Sequence, residues 1–152
     1  MAHWLLKTEP EAFSLEDLRL RQTEPWDGIR NYQARNFLRA MQIGEEVFIY
    51  HSRVPEPGIV GVAVVASKAR PDPTQFDPQS KYFDPRSRPE APRWDLVDIS
   101  YVGKLARVLT LEELRQFPEF STSQLIRKGN RLSILPIDDA QWHAVLSRVP
   151  LV

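Results

Sequence analysis

Cysteine is absent from this sequence, glycine is scarce, and no long hydrophobic run is present. Without cysteine the chain can form no disulfide and offers no thiolate to a metal ion, which fits a reducing compartment. No apolar run approaches the roughly 20 residues that a membrane-spanning helix needs. No signal peptide precedes the apolar segment at His3, because the basic, apolar and small-residue regions of such a peptide are missing. We therefore expect a chain that is not associated with a membrane.

An excess of charge of either sign is missing as well, since 20 basic residues balance 20 acidic ones. A net charge of zero argues against a protein that is held on nucleic acid by bulk electrostatic attraction. The distribution is less even, because residues 28–44 and 121–136 each contain three basic side chains and no acidic one. A solvated face explains such segments as well as local phosphate contacts do. On the second interpretation, weak and salt-sensitive binding to unmodified nucleic acid is expected from Arg30, Arg35, Lys128 and Arg131.

Signatures of familiar enzymes and metal proteins are also missing. The sequence has no glycine-rich phosphate loop and no G-x-S-x-G nucleophile motif. Its three histidines, His3, His51 and His143, do not have the spacing of metal ligands. We therefore expect no metal ion and no cofactor.

The hydrophobic pattern predicts short strands and helices in an irregular order. Strands are predicted over residues 3–7, 46–52, 59–69, 93–106 and 131–137. Helices are predicted to begin after residues that cap a helix amino terminus, namely Ser14, Asn31, Thr110 and Asp138. This order is typical of an α+β fold around a curled, barrel-like sheet, and not of a doubly wound parallel sheet.

Residues 70–93 form a segment that contains six of the 13 prolines. Regular secondary structure cannot continue through so many prolines. A long connection of this kind is usually either a functional loop or a disordered segment. Its aromatic residues argue against disorder, which is poor in such side chains: Phe76, Tyr82 and Phe83. We therefore expect an ordered loop that wraps over the body of the protein.

The densest polar stretch is WDGIRNYQARN, residues 26–36, which is predicted to begin with a turn around Asp27 and Gly28. A planar, polar ligand such as a nucleobase needs aromatic faces for stacking and fixed donors and acceptors at its edge. The candidate faces are Trp26, Tyr32, Tyr50, Tyr82 and Trp94. The candidate edge contacts are Asn31, Gln33, Asn36, His51 and Ser52. The residues alone leave a second interpretation open, in which the tryptophans belong to the core and the asparagines cap helices.

Several segments, taken in order along the chain, resemble the EVE domain proteins. They include HWLLKTEP, WDGIRNYQARNFLRAM, PDPTQFDPQSKYFDP and IRKGNRLSILPI, and the resemblance covers essentially the whole chain. It implies one domain over residues 1–152 with a PUA-like fold, a mixed β-barrel of about five or six strands flanked by short helices. Because the basic amino-terminal extension of the nuclear family members is absent, the resemblance also implies a bacterial, cytoplasmic member.

The resemblance further implies a non-enzymatic reader of a modified base in DNA or RNA. The base is expected in a single strand or flipped out of a duplex, inside an aromatic-lined pocket of a monomeric protein. On this interpretation Trp26 forms the pocket wall, the helix start at Asn31 presents polar atoms, and the loop with Tyr82 closes over the base. The expected ligand-binding residues are Lys7, Trp26, Gly28, Arg30, Asn31, Tyr32, Gln33, Asn36, Tyr50, His51, Ser52, Tyr82, Trp94, Arg131, Leu132 and Ser133.

A small hydrolase acting on modified nucleosides is the alternative. Some PUA-like relatives of the ASCH group are amidohydrolases that use Lys, Thr and Glu, and the sequence has these types at Lys7, Thr8 and Glu9. In a continuous strand Lys7 and Glu9 would share one face and Thr8 would point away. A phosphate contact or an ion pair explains Lys7 more simply. Release of acetate from an acylated cytidine would distinguish a hydrolase from a reader.

Overall fold

The structure is a computed structural model that describes residues 1–152. Its strands are β1 (His3–Thr8), β2 (Thr23–Pro25), β3 (Glu46–His51), β4 (Gly58–Val65), β5 (Arg70–Pro71), β6 (Asp95–Leu96), β7 (Asp98–Thr110) and β8 (Ile134–Ile137). Its α-helices are α1 (Leu15–Arg21), α2 (Tyr32–Ala40), α3 (Leu111–Leu114) and α4 (Asp139–Arg148). Short 3₁₀ turns lie at Pro73–Phe76, Pro118–Phe120 and Gln124–Ile126. None of the helices has the length and apolar character needed to cross a membrane.

Six strands form one sheet in the order β2-β7-β4-β3-β1-β8, and β5 pairs with β6 in a small second sheet. Strands β1 and β3 are parallel, whereas the other pairs of the large sheet are antiparallel. Register shifts interrupt the β3–β4 and β4–β7 ladders, and such irregularities increase the local twist. The sheet therefore curls into a half-barrel with β2 and β8 at its edges. The predicted α+β, barrel-like architecture is confirmed.

The large sheet is buried on both faces because successive side chains of its central strands point in opposite directions. Trp4 and Leu6 of β1 join a core of 17 buried residues that includes side chains of α1 and α2. Leu5 of β1 and Phe48 of β3 join a second core of 15 buried residues, which includes α4. Burial on both faces explains why the middle of each strand, residues 4–6 of β1 and 47–50 of β3, is continuously apolar in sequence.

The predicted helix starts are confirmed. Ser14 and Thr110 form capping boxes with the third residues of α1 and α3. Asn31 and Asp138 cap α2 and α4 by accepting hydrogen bonds from backbone N–H groups in the first turn of each helix. Caps are predictable because they depend on side chains within one turn of the helix end.

Some strand boundaries were predicted wrongly. Strand β4 ends at Val65 and not at residue 69, because the Ser67 hydroxyl accepts a hydrogen bond from the backbone N–H of Asp98. Strand β8 begins at Ile134, three residues later than predicted. Strand β2 was not predicted, since its three residues, Thr-Glu-Pro, carry no apolar pattern and form an edge strand.

The proline-rich segment is ordered, as predicted, and Gln75 fixes it to the chain before β6. The buried Gln75 amide donates hydrogen bonds to the backbone carbonyls of Asp72 and Trp94, both at 2.7 Å. Its side-chain oxygen accepts from the N–H groups of Arg93 and Trp94, at 3.1 and 3.0 Å. Because every polar atom of this buried amide has a partner, the segment is held in one conformation.

Asp72 ties the same segment to the turn that follows β2. Its carboxylate is fully buried and accepts hydrogen bonds from the N–H of Gly28 at 2.9 Å and the Arg30 guanidinium at 3.0 Å. The backbone N–H and the hydroxyl of Thr74 donate to it as well, at 2.8 and 2.6 Å. Burial by itself raises the pKa of this carboxyl, but the hydrogen bonds from Thr74, Gly28 and Arg30 outweigh burial, so the pKa is lowered.

Replacing Asp72 is expected to destabilise the protein. In Asp72→Ala the Gly28 N–H and the Arg30 guanidinium lose their partner inside the protein, and breaking a buried ion pair costs about 3–5 kcal/mol. Because Arg30 is partly exposed, we expect a loss near the lower end of this range. Urea unfolding measures the loss, with Asp77→Ala as the control because Asp77 is an exposed carboxylate of the same segment. Equal stability of the two variants would contradict this assignment.

The same carboxylate gives a pH dependence. A lowered pKa in the folded state means that Asp72 stabilises the fold above its ordinary pKa of about 3.9. This contribution is lost as the pH falls through the lower pKa of the folded protein. Asp72→Asn cannot titrate, so its unfolding free energy is expected to decline less steeply than that of the wild type below about pH 4. Urea titrations at several acidic pH values measure the two slopes.

Candidate functional site

A cavity of about 540 Å³ opens at the carboxyl end of β1. It lies between the turn after β2 and the proline-rich segment, which contribute Trp26 and Tyr82. The structure brings five of the predicted site residues to this cavity: Lys7, Trp26, Gly28, Tyr82 and Ser133. A groove of similar volume near α3 and α4 is lined by a single aromatic side chain, Phe117.

Trp26 is at once a wall of the cavity and a member of the core. It is only 8 % exposed and packs edge-on against Phe13, with ring centroids 5.8 Å apart. Phe13 lines the cavity as well. The two interpretations of Trp26, pocket wall and core residue, therefore both describe its position.

Tyr82 approaches the turn closely because Gly28 has no side chain. A Cβ atom on Gly28 would lie 2.6–2.8 Å from three carbons of the Tyr82 ring. Gly28 also has a φ of +79°, a backbone conformation that residues with a side chain rarely adopt. Both constraints favour glycine at this position, and they fix the ring of Tyr82 above the backbone of the turn.

Arg30 supports the Tyr82 wall from behind. It donates two hydrogen bonds to the Tyr82 carbonyl, at 3.0 and 2.8 Å, and others to Asp72, Thr74 and the Ile29 carbonyl. Its guanidinium carbon also lies 5.6 Å from the ring centroids of both Tyr82 and Trp94. All donor nitrogens of Arg30 are therefore engaged within the protein, and this geometry leaves no free donor for a phosphate.

Two charged side chains of the cavity wall have no ionic partner, namely the Lys81 ammonium and the Asp27 carboxylate. Lys7 also forms no ion pair, but its ammonium lies 5.5 Å from the ring centroid of Tyr50, on the face of the sheet opposite Trp26, and burial lowers its pKa. The pKa of Asp27 is raised by burial and by the nearby charges of Asp72 and Glu24. Asp27 makes no ion pair and accepts no hydrogen bond from another residue, whereas Glu24 is paired with Arg21 at 2.9 Å.

Three of the predicted aromatic faces lie away from the cavity, namely Tyr32, Tyr50 and Trp94. Tyr50 is 3 % exposed and belongs to the core on the opposite face of the sheet. Trp94 is 4 % exposed, and its indole N–H donates to Asp84 at 2.7 Å. Trp94 stacks on the exposed ring of Tyr32 with a centroid separation of 4.7 Å. The predicted convergence of Trp26, Tyr50, Tyr82 and Trp94 therefore occurs only for Trp26 and Tyr82.

Three of the predicted edge contacts bind the protein's own backbone. The Asn31 side chain accepts from the N–H of Ala34, and the N–H of Ser52 donates to the Thr8 carbonyl. His51 Nε2 accepts from the first N–H of α1 at 3.1 Å. Burial lowers the pKa of His51, which keeps the imidazole neutral and able to accept this hydrogen bond.

The remaining predicted residues are spread over the neighbouring surface. Gln33 and Leu132 line a separate cavity of about 450 Å³. Asn36 accepts hydrogen bonds from the Arg35 guanidinium, at 2.9 and 3.3 Å. Arg131 is exposed, makes no ion pair, and lies two residues before the cavity residue Ser133.

The prediction from sequence missed eight residues of the cavity wall, namely Ala12, Phe13, Arg21, Glu24, Pro25, Asp27, Ile29 and Lys81. Asp27 was assigned to a turn, which is correct, but its carboxylate also lines the cavity. Lys81 could have been found as the neighbour of Tyr82. No signal in the sequence places Phe13 or Glu24 there, because both reach the cavity through the packing of α1 and β2 around Trp26.

Comparisons with known proteins agree with this architecture. The sequence model described as the EVE domain matches residues 2–148. Human thymocyte nuclear protein 1 is 41% identical over 164 residues, which cover 96% of this chain and 73% of that protein. A crystal structure of a Pseudomonas syringae protein has a TM-score of 0.93 and 46% identity, and the match covers 97% of this chain and 99% of that one.

Two further structures bear on the site and the fold. Human thymocyte nuclear protein 1 in complex with DNA that contains 5-methylcytosine has a TM-score of 0.88 and 42% identity, with 97% of each chain covered. An ASCH protein from Zymomonas mobilis has a TM-score of 0.54 at 11% identity over 97% of this chain and 98% of that chain, so it is similar in fold alone. The expected PUA-like fold is thereby confirmed. The match over nearly its whole length shows that this chain belongs to the EVE domain family.

Proposed function

We propose that this protein binds DNA containing a modified base and holds that base in the cavity between Trp26 and Tyr82. The observation that carries the proposal is the cavity itself, whose wall combines aromatic rings with the unpaired Asp27 carboxylate and the unpaired Lys81 ammonium. The human relative, which has the same fold, was crystallised with DNA that contains 5-methylcytosine.

The energetics of such a site are favourable. Extruding a base from a duplex costs a few kcal/mol. Stacking on an aromatic side chain is worth about 1–3 kcal/mol per base, so the two rings together can offset that cost. The Asp27 carboxylate adds a hydrogen-bond acceptor for the base edge. A single-stranded site avoids the extrusion cost altogether.

Phosphate contacts are assigned to exposed cations near the cavity. Lys128 and Arg131 precede Ser133 and make no ion pair, and Lys81 adjoins Tyr82 at the cavity wall. Arg30 is not assigned to a phosphate contact, because all of its donors are engaged within the protein. So few contacts are consistent with a net charge of zero and with weak binding to unmodified DNA. Three further properties stay predictions: binding of a modified base in RNA, a monomeric state and a cytoplasmic location.

The contacts of Thr8 and Glu9 favour binding over hydrolysis. Lys7, Thr8 and Glu9 all line the cavity, because β1 ends at Thr8 and the chain no longer alternates as a strand does. The Thr8 hydroxyl donates to the Phe13 carbonyl at 2.7 Å, and the Glu9 carboxylate pairs with Arg53 at 3.0 Å. Neither group contacts the other as a nucleophile contacts its base.

Tyr82 is a better residue for testing the stacking than Trp26. Trp26→Ala removes a wall of the cavity and a core side chain together, so a loss of binding has two possible causes. Tyr82 lies outside both cores and is held by polar contacts of the segment's backbone. Its removal therefore changes the cavity with little effect on the folded body.

Tyr82→Ala is expected to weaken binding to a 5-methylcytosine oligonucleotide about tenfold to a hundredfold, since a stacking face is worth about 1–3 kcal/mol. Tyr82→Phe keeps the ring and is expected to bind within about threefold of the wild type. Calorimetric titration measures the affinities. Phe83→Ala is the matched control, because Phe83 is an exposed aromatic residue of the same segment outside the cavity wall. Unchanged affinity in folded Tyr82→Ala would refute stacking on this residue.

Removing the proposed phosphate contacts is expected to change the salt dependence of binding. Each of Lys128→Ala and Arg131→Ala should lower the slope of log affinity against log salt concentration by about one unit. The slope is measured by fluorescence anisotropy with a labelled oligonucleotide over a range of salt concentrations. Lys104→Ala is the control, because Lys104 is an exposed, unpaired cation outside the cavity. A slope that responds equally to all three variants would point to general electrostatics and not to a defined contact.

A further inference from the structure

The cavity contains a carboxylate that the fold itself does not use. Asp27 is next to the wall residue Trp26 and lines the cavity, yet it has no ionic partner and no hydrogen bond from another residue. The other two carboxylates of the wall are neutralised, Glu9 by Arg53 at 3.0 Å and Glu24 by Arg21 at 2.9 Å. Asp72, a buried carboxylate that contacts the turn after β2, accepts four hydrogen bonds. Asp27 therefore differs from every acidic neighbour in being free to contact a ligand.

An ionised carboxylate only accepts hydrogen bonds, so its preferred partner is a donor. Cytosine presents an exocyclic amino group at position 4, whereas thymine and uracil present a carbonyl oxygen there. If the carbonyl of thymine or uracil faced Asp27, two hydrogen-bond acceptors would meet with no proton between them. Two unsatisfied acceptors that are shielded from water cost free energy, so this arrangement disfavours thymine and uracil.

Resting on the function proposed above, we propose that Asp27 makes this cavity select cytosine bases, which carry an amino group, against thymine, which carries a carbonyl. In the bound base, the Asp27 carboxylate accepts a hydrogen bond from the amino group at position 4. The selectivity arises at the Watson–Crick edge, which is accessible only in an unpaired or extruded base. A methyl group at position 5 is common to 5-methylcytosine and thymine, so the methyl group itself cannot make this distinction.

Two single-stranded oligonucleotides of identical sequence, one with 5-methylcytosine and one with thymine at a single position, test the proposal. They match in size and in the methyl group, and they differ in the base edge. We expect wild-type protein to bind the 5-methylcytosine strand about tenfold to a hundredfold more tightly, the discrimination typical of a good base-edge contact. Asp27→Asn, whose amide both donates and accepts, is expected to bring the two affinities to within about threefold of each other.

The control variant is Asp77→Asn, which removes an exposed carboxylate outside the cavity and is expected to keep the wild-type ratio. Equal affinities of the wild type for the two strands, or an unchanged ratio in Asp27→Asn, would overturn the role of Asp27. A different result would contradict the proposed function: an affinity for the 5-methylcytosine strand that is the same in Tyr82→Ala as in the wild type. Thermal unfolding of each variant shows that the compared proteins are folded.

Discussion

The hydrogen bonds of the Asp72 carboxylate are the constraint on which the candidate site depends. They join the proline-rich segment to the turn after β2, two parts of the chain that are more than 40 residues apart in sequence. Arg30 then extends the same network to the Tyr82 carbonyl. Because the donors are backbone and guanidinium groups in fixed positions, these polar contacts, together with the close packing of Tyr82 on Gly28, set the distance between Trp26 and Tyr82.

The resulting site has two walls of different physical character. Trp26 is anchored among 17 buried residues, so its position follows from the close packing of the core. Tyr82 lies on an irregular segment that contacts the body through Gly28, Arg30 and buried amides. The network engages Asp72 and Arg30, whereas the Asp27 carboxylate and the Lys81 ammonium of the cavity wall stay without ionic partners.

Much of the fold could be predicted from the sequence, whereas the site could be predicted only in part. Caps such as Ser14 and Thr110 depend on neighbours within one helical turn, and their prediction succeeded. Trp94 and Tyr50 have the same residue types as the cavity walls, but residue type does not reveal which face of a curled sheet a side chain occupies. The partners of Asp72 and the free state of Asp27 depend on contacts between distant segments, which no local pattern records.

The polar attachment of the proline-rich segment has a consequence for how a base could enter. Parts of a protein that bury little apolar surface open locally at a free energy below that of global unfolding. This segment contributes Tyr82 but supplies no residue to either buried core, so the curled sheet and its two layers of helices do not depend on its closure. The Tyr82 wall is therefore the natural entrance of the cavity, with Trp26 as its stationary opposite. Across related chains, changes in this segment could adjust the size of the bound base without cost to the core.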